Sequence, residues 1–213
     1  MTANHEKQPD CAQCKVFACS SGHKDKAPAN CPMICEAELL EQTTREYRSE
    51  MSMEIACTSA RVEAEGYCRW TRVEEIIAFA RGAGYKKIGL AHCIGLRREA
   101  ERFSKIMTQN GFEIISVVCK AGAEPKETLG LSDTEKVRPG RFEAMCNPIA
   151  QAKLLNKAGV ELKIILGLCV GHDSLFLQYA DPPVTVLAVK DRVLAHNPLG
   201  ALYAAHYFDR RFR

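Results

Sequence analysis

The sequence has no apolar run long enough to cross a bilayer. Its longest, at 163–170 and 184–189, fall far short of the roughly 20 residues that a spanning helix needs. Its first ten residues are polar and lack the apolar stretch of a secretory leader, so a cytoplasmic protein with no membrane partner is expected. Nor is there a surplus of one charge. The 29 basic and 26 acidic side chains are interleaved, which leaves no basic stripe, and nucleic-acid binding is not expected. There is a single CxxC pair where a zinc ribbon would have two, and there is no internal repeat or tract of low complexity. What the chain does have in quantity is cysteine, eleven in 213 residues. Without a leader, such thiols point to metal binding or catalysis rather than to a disulfide framework.

The cysteines fall into two groups because the chain falls into two parts. Residues 1–35 hold five of them, show no apolar periodicity, and need a metal to become ordered, since they cannot bury enough apolar surface alone. Residues 36–213 read as an α/β domain with a leading helical segment, 36–82. In that segment Leu40, Thr43, Tyr47, Met51, Ile55, Thr58 and Val62 recur at steps of three and four, which predicts one long helix over 36–65 closed by Gly66. Thr71 and Glu74 form a capping-box signature for a second helix that ends at Gly82.

Strands and helices then alternate. Strands are expected at 87–91, 112–119, 162–168 and 184–189, and helices at 96–110, 148–158, after Gly171, and from about Leu199. Pro148 suits a first helical turn, and Gly111 and Gly159 suit helix ends. The segment 122–141, rich in Pro, Gly and charge, reads as a long loop or a short helix within a connection. The pattern predicts a mostly parallel, Rossmann-like sheet with helices on both faces.

In the first part, Cys11, Cys14, Cys19 and Cys31 form the candidate metal site. A CxxC turn aims two thiolates at one metal, a remote fourth cysteine closes the set, and Pro32 fixes the backbone beside Cys31. Four thiolates suit zinc or an iron–sulfur cluster. The strung-out spacing favours a [4Fe-4S] cluster, with zinc the alternative, and the segment CAQCKVFACSSGHKDKAPANCP looks like the small iron–sulfur modules of anaerobic corrinoid and electron-transfer proteins. Cys35 is expected to be a bystander at a helix start, and His5 and His23 to be solvated.

In the second part the parallel-sheet rule decides what matters, because ligands bind beyond the carboxyl ends of the strands. Cys93, Cys119 and Cys169 each close a strand, and Cys146 opens the helix before the third. Four thiols are therefore expected to converge on one edge and to hold a second cluster or metal, or else to act as a redox-active pair. His92, His172, Asp173, Ser174, Asn147, Lys120 and His196 fall in the same loops. His172, oriented by Asp173, is the expected proton-handling group beside Cys169, while Gly171, Asn147 and Lys120 are expected to bind the cofactor. Cys57 and Cys68 read as structural, with Tyr67 and Trp70 able to cover a pocket, and the charges at Lys190, Asp191 and Arg192 read equally as site or as solvated run.

The four-cysteine amino terminus, together with EGYCRWTRVEEIIAFARGAGYKKIGLAHCIGL, VVCKAG, MCNPIAQAKLLN, GLCVGHDSLF and VKDRVLAHNP, resembles a domain-of-unknown-function family of prokaryotic metal-binding proteins common in anaerobic bacteria and archaea. The resemblance implies metal at the amino-terminal cysteines, often described as zinc, and supplies no activity. The reading of the residues themselves is an iron–sulfur protein with redox or sulfur chemistry on a small molecule and an electron-transfer partner. Its alternative is a non-catalytic zinc protein that senses a ligand or partner.

Overall fold

The computed structural model describes residues 8–213, so His5 lies outside the described residues. The chain divides into two compact units, Met1–Arg61 and Val62–Arg213. The division falls within the helical segment and not at residue 35. There Glu36 both ends one helical turn and begins the next helix, leaving no linker between them.

In the first unit the cysteine-rich segment forms single turns, α1 (Ala18–Ser21) and α2 (Pro32–Cys35), followed by α3 (Ala37–Glu46) and α4 (Glu50–Gly66). The one long helix expected over 36–65 is thus two. Thr43 and Thr44 donate their hydroxyls back to the Leu40 carbonyl, the chain tightens through Arg48 N–H to Arg45 and Ser49 N–H to Glu46, and the Ser49 hydroxyl accepts from the Ser52 amide. Such back-bonding and capping compete with continuous helix. Leu40, Tyr47 and Met51, on the expected apolar face, remain exposed. α4 ends at Gly66 as expected, because the Trp70 ring lies where a Cβ on residue 66 would sit, 2.5 Å from that position.

The second unit opens with α5 (Arg72–Gly82), begun by the expected capping box: the Thr71 hydroxyl accepts from the Glu74 amide, and the Glu74 carboxylate accepts from the Thr71 amide at 2.6 Å. β1 (Lys87–His92), α6 (Arg97–Gln109), β2 (Glu113–Val118), α7 (Pro148–Lys157), β3 (Leu162–Leu166), α8 (His172–Tyr179) and β4 (Val184–Ala188) follow, and α9 (Leu199–Tyr203) and α10 (Ala205–Phe208) replace the single expected carboxyl-terminal helix. All four strands are parallel, in the order β2-β1-β3-β4.

Alternation along the strands sorts the core into two layers. Ile88, Leu90, Leu162, Ile164 and Leu166 pack against Ile76 and Ala80 of α5 and Phe103 and Met107 of α6. On the other face Ala91 and Ile165 pack against Ala152 and Leu155 of α7 and Phe176 of α8. Each fully buried aliphatic or aromatic side chain contributes about 1.5–3 kcal/mol, and helices on both faces are what a parallel sheet requires. Gly89 lets α7 and the residues after it approach closely, since a Cβ there would lie 3.1 Å from Leu155 of α7 and 2.8 Å from Val160. No helix among the described residues is long and apolar enough to cross a membrane.

Candidate functional site

The sheet order reverses between β1 and β3, and the crevice outside their carboxyl ends is the topological switch point at which open α/β sheets bind ligands. Cys93 follows β1 there, held by its amide to the Leu166 carbonyl. Cys119 follows β2, its amide bonded to the His92 carbonyl at 2.8 Å. Cys146 reaches the same place by a detour. The 122–147 connection is an irregular loop with two single 3-10 turns, Lys126–Leu129 and Asp133–Glu135. It is closed on itself by an antiparallel bridge between Pro125 and Ala144, by the Lys126–Glu143 ion pair, and by Lys120, whose amine donates to the Ala144 carbonyl. The Asn147 amide then bonds the Cys119 carbonyl at 2.8 Å, and Asn147 caps α7 through the Ala150 amide.

The outcome is a row of three sulfurs. Cys119 is in the middle: it packs in one cluster with Cys93 and Cys146, its sulfur accepts the Ile94 amide at 3.3 Å next to Cys93, and its carbonyl accepts the Asn147 amide next to Cys146. Lys190 stands beside Cys93 and Lys120 beside Cys146, and His172 acts on Cys146 electrostatically. Hydrogen bonding from Cys119 is the main cause that pulls Cys93 and Cys146 down to about 5, against the opposing effect of burial, with the Gly95 amide and Lys190 helping at Cys93 and the positive charges of Lys120 and His172 helping at Cys146. Cys119, which donates to both and is itself buried, is pushed up.

The Cys169 sulfur accepts from the Arg192 guanidinium at 3.3 Å, and Arg192 also interacts electrostatically with Cys93 and Cys146. The expected pairing of His172 with Asp173 is not what the carboxylate does: Asp173 accepts from the Ser174 amide at 2.8 Å. His92 lies with a ring nitrogen 3.3 Å from the Cys93 carbonyl. Gly171 has a positive φ and precedes α8 with open space around it. Cys57 contacts Met53 within its own helix, and Cys68 is exposed.

Two groups matter more than sequence reasoning allowed. Lys190 and Arg192 belong to a built loop: Asp191 accepts from the Val193 and Leu194 amides, and His196 accepts the Asp191 amide, with Ala195 and His196 both at positive φ. Two successive non-glycine residues held in that region mark a loop over-determined by its contacts. Their position directly after β4, at the ligand-binding edge, was the available signal. Gln151 of α7 is fully buried, donates to the His92 and Val117 carbonyls at 3.2 and 2.7 Å, and so pins the ends of β1 and β2 beneath the sulfurs. Its Oε1 has no hydrogen-bond partner.

In the first unit Cys11, Cys14, Cys19 and Cys31 all line one cavity of about 120 Å³, together with Asp10, Phe17 and Asn30. Cys11 and Cys14 are joined by a tight turn, Cys19 lies in α1, and Cys31 caps α2 with Pro32 in its first turn. The Cys35 sulfur instead contacts the Asn30 carbonyl at 3.6 Å. Among the described residues no group of three or more His, Cys, Asp or Glu side chains is already arranged to hold a metal ion.

Residues 31–187 match a family described as protein of unknown function, DUF1847. The chain belongs to that family. The matched span contains all four sheet-edge cysteines and, of the amino-terminal set, Cys31. An uncharacterised protein of Methanocaldococcus jannaschii is 43% identical over 200 residues, covering 94% of this chain and 96% of its own length. No solved structure matches the chain.

Proposed function

We propose that this DUF1847 protein is an iron–sulfur protein that performs thiol-based redox or sulfur chemistry on a small molecule at the carboxyl edge of its sheet. The observation that carries the reading is the position of Cys119, packed in one cluster with Cys93 and Cys146, its sulfur on the Ile94 amide and its carbonyl on the Asn147 amide. A lone buried cysteine is ordinary packing, whereas three packed together at a switch point, with Lys190 beside Cys93 and Lys120 beside Cys146, suit a thiolate nucleophile with a resolving thiol near it. His172 is placed to give or take a proton near Cys146. Because Arg192 engages Cys169, the row favours thiol exchange over a second four-thiolate cluster.

The cluster belongs to the first unit. The four cysteines line one cavity, and their strung-out spacing, with a single CxxC, is that of cluster loops more than of paired zinc knuckles. Bound there, the cluster would supply one-electron chemistry. A reducing cytoplasm would keep both sets of thiols in working form.

Two variants of the full chain, purified without oxygen, separate the sites. Cys14→Ser is expected to lower iron and acid-labile sulfide while leaving the sheet-edge thiols reactive toward a small disulfide. Cys146→Ser is expected to do the reverse. Loss of iron in Cys146→Ser would move the metal to the sheet edge, and colourless wild-type protein with stoichiometric zinc would replace the cluster reading with the structural-zinc alternative.

A further inference from the structure

We propose that the sheet-edge site takes a small anion bearing a sulfane sulfur, that Cys146 accepts the sulfur, and that Cys119 then releases it as sulfide. This rests on the thiol-exchange reading above and adds a substrate class and an order of events to it.

Access fixes the first residue. Cys119 and Cys93 are 2% and 7% exposed, whereas Cys146 and Cys169 are half-buried. Of the two that an incoming molecule reaches first, Cys146 packs against the cluster that holds Cys119, while Cys169 is engaged by Arg192. Cys119 is therefore the resolving thiol and Cys93 the innermost member of the row.

Charge fixes the kind of molecule. Lys120, Lys190 and Arg192 all stand at the cysteines. The nearby carboxylates are turned to backbone: Asp173 to the Ser174 amide, Asp191 to those of Val193 and Leu194. Cationic side chains lining a cleft raise the local concentration of anions. The rim is low beside the sulfurs, since at Gly95 only the Lys190 amine and the Cys93 sulfur come within 4 Å of where a Cβ would sit.

The row itself selects the chemistry. Cys146–S⁻ attacks the terminal sulfur of R–S–SH, the S–S bond breaks, and R–SH leaves, so Cys146 carries a persulfide, Cys146–S–S⁻. Cys119, passing its proton to the outer persulfide sulfur, attacks the Cys146 sulfur as thiolate, giving the Cys119–Cys146 disulfide and HS⁻; the sulfane sulfur gains two electrons and the two cysteine sulfurs lose them. Cys93–S⁻ next attacks Cys119, forming the Cys93–Cys119 disulfide and freeing Cys146. An external dithiol, becoming a disulfide in turn, restores the row. A single transferred atom needs little room beside the enclosed Cys119, and a third thiol in line is what lets the outer one be regenerated while the inner pair awaits reduction.

The test uses the full-length protein without oxygen, with inorganic polysulfide as the anionic donor and bis(2-hydroxyethyl) disulfide as a neutral disulfide lacking sulfane sulfur. Wild type should release one sulfide per disulfide formed within the row, beyond the shortened polysulfide that leaves in the first step. Cys119→Ser should free that leaving group alone and accumulate Cys146 heavier by one sulfur atom. Lys190→Ala and Arg192→Ala should each slow the polysulfide reaction roughly tenfold more than they slow the reaction with the neutral disulfide, the worth of a charge-assisted contact. Should Cys119→Ser fail to fold, rapid alkylation of wild type and peptide mass mapping must catch the Cys146 persulfide before sulfide appears. Sulfide release by folded Cys119→Ser at the wild-type rate, or a persulfide confined to the amino-terminal cysteines, would overturn the proposal. Oxidation of the row by the neutral disulfide but not by polysulfide would overturn it while leaving the thiol-exchange reading intact; a row inert to both would overturn the two together.

Discussion

If Cys146 is held near 5, its reactivity should be nearly flat across neutral pH, and the flatness is a sharper test than the absolute rate. A thiol of ordinary pKa, about 8.5, gains roughly tenfold in thiolate for each pH unit, hence close to a hundredfold from pH 6 to pH 8. A thiol with a pKa of about 5 is already roughly 90% thiolate at pH 6, so its rate should rise by only about a tenth over the same range. The absolute rate at pH 7 discriminates poorly. The low-pKa thiolate is about thirtyfold more populated, but with a Brønsted slope of about 0.4–0.5 it is roughly twenty-five- to fiftyfold less nucleophilic, and the two effects nearly cancel. The assay is therefore a pH series with 4,4′-dithiodipyridine on the anaerobic full-length protein, quenched early and read by peptide mass spectrometry so that Cys146 is followed apart from the other cysteines. Cys119→Ala removes the largest cause of the lowered pKa and should restore a rising profile. A wild-type Cys146 rate that climbs tenfold per unit between pH 6 and 8 would refute the reasoning.

Gln151→Leu should cost about 1–3 kcal/mol by taking its donors from the His92 and Val117 carbonyls, and should slow exchange at the row; an unchanged urea midpoint would contradict this. Gly167→Ala places a Cβ 2.0 Å from Leu96 Cδ1 at a residue with φ of +65°, so a loss of several kcal/mol is expected in thermal unfolding, from strain of about 1–3 and overpacking of about 1–3 kcal/mol. Lys163 is buried with its amine on the Asp181 carbonyl, and burial lowers its pKa. The unfolded chain then binds more protons in the window between the lowered folded value and 10.5, so this residue makes stability rise with pH there and withholds it below. Urea midpoints from pH 7 to 10 should rise less steeply in Lys163→Met than in wild type, and identical slopes would dismiss the linkage.

The alternation of strand and helix was legible because each strand is a short apolar run and each helix begins or ends on a recognisable residue, such as Thr71 with Glu74, Pro148 or Gly111. The break at 47–49 was not legible. The apolar step of three and four continues across it, and it is made instead by the Thr43 and Thr44 hydroxyls and the Ser49 cap, which periodicity does not weigh. The convergence of Cys93, Cys119 and Cys146 followed from the rule of carboxyl ends, but their order did not. That order depends on β1 lying between β2 and β3 and on a closed loop that returns Cys146 to Cys119, and both are long-range facts. For the same reason the bond between Cys169 and Arg192, and the floor made by Gln151, had no local signature.

The working row of Cys93, Cys119 and Cys146 is tested most directly by mapping disulfides after fully reduced, anaerobic protein is oxidised with one equivalent of diamide. Cys119 is expected to appear bridged to Cys146 or to Cys93, with Cys57, Cys68 and Cys169 still reduced. A folded protein in which Cys119 stays reduced while other cysteines pair would contradict the account.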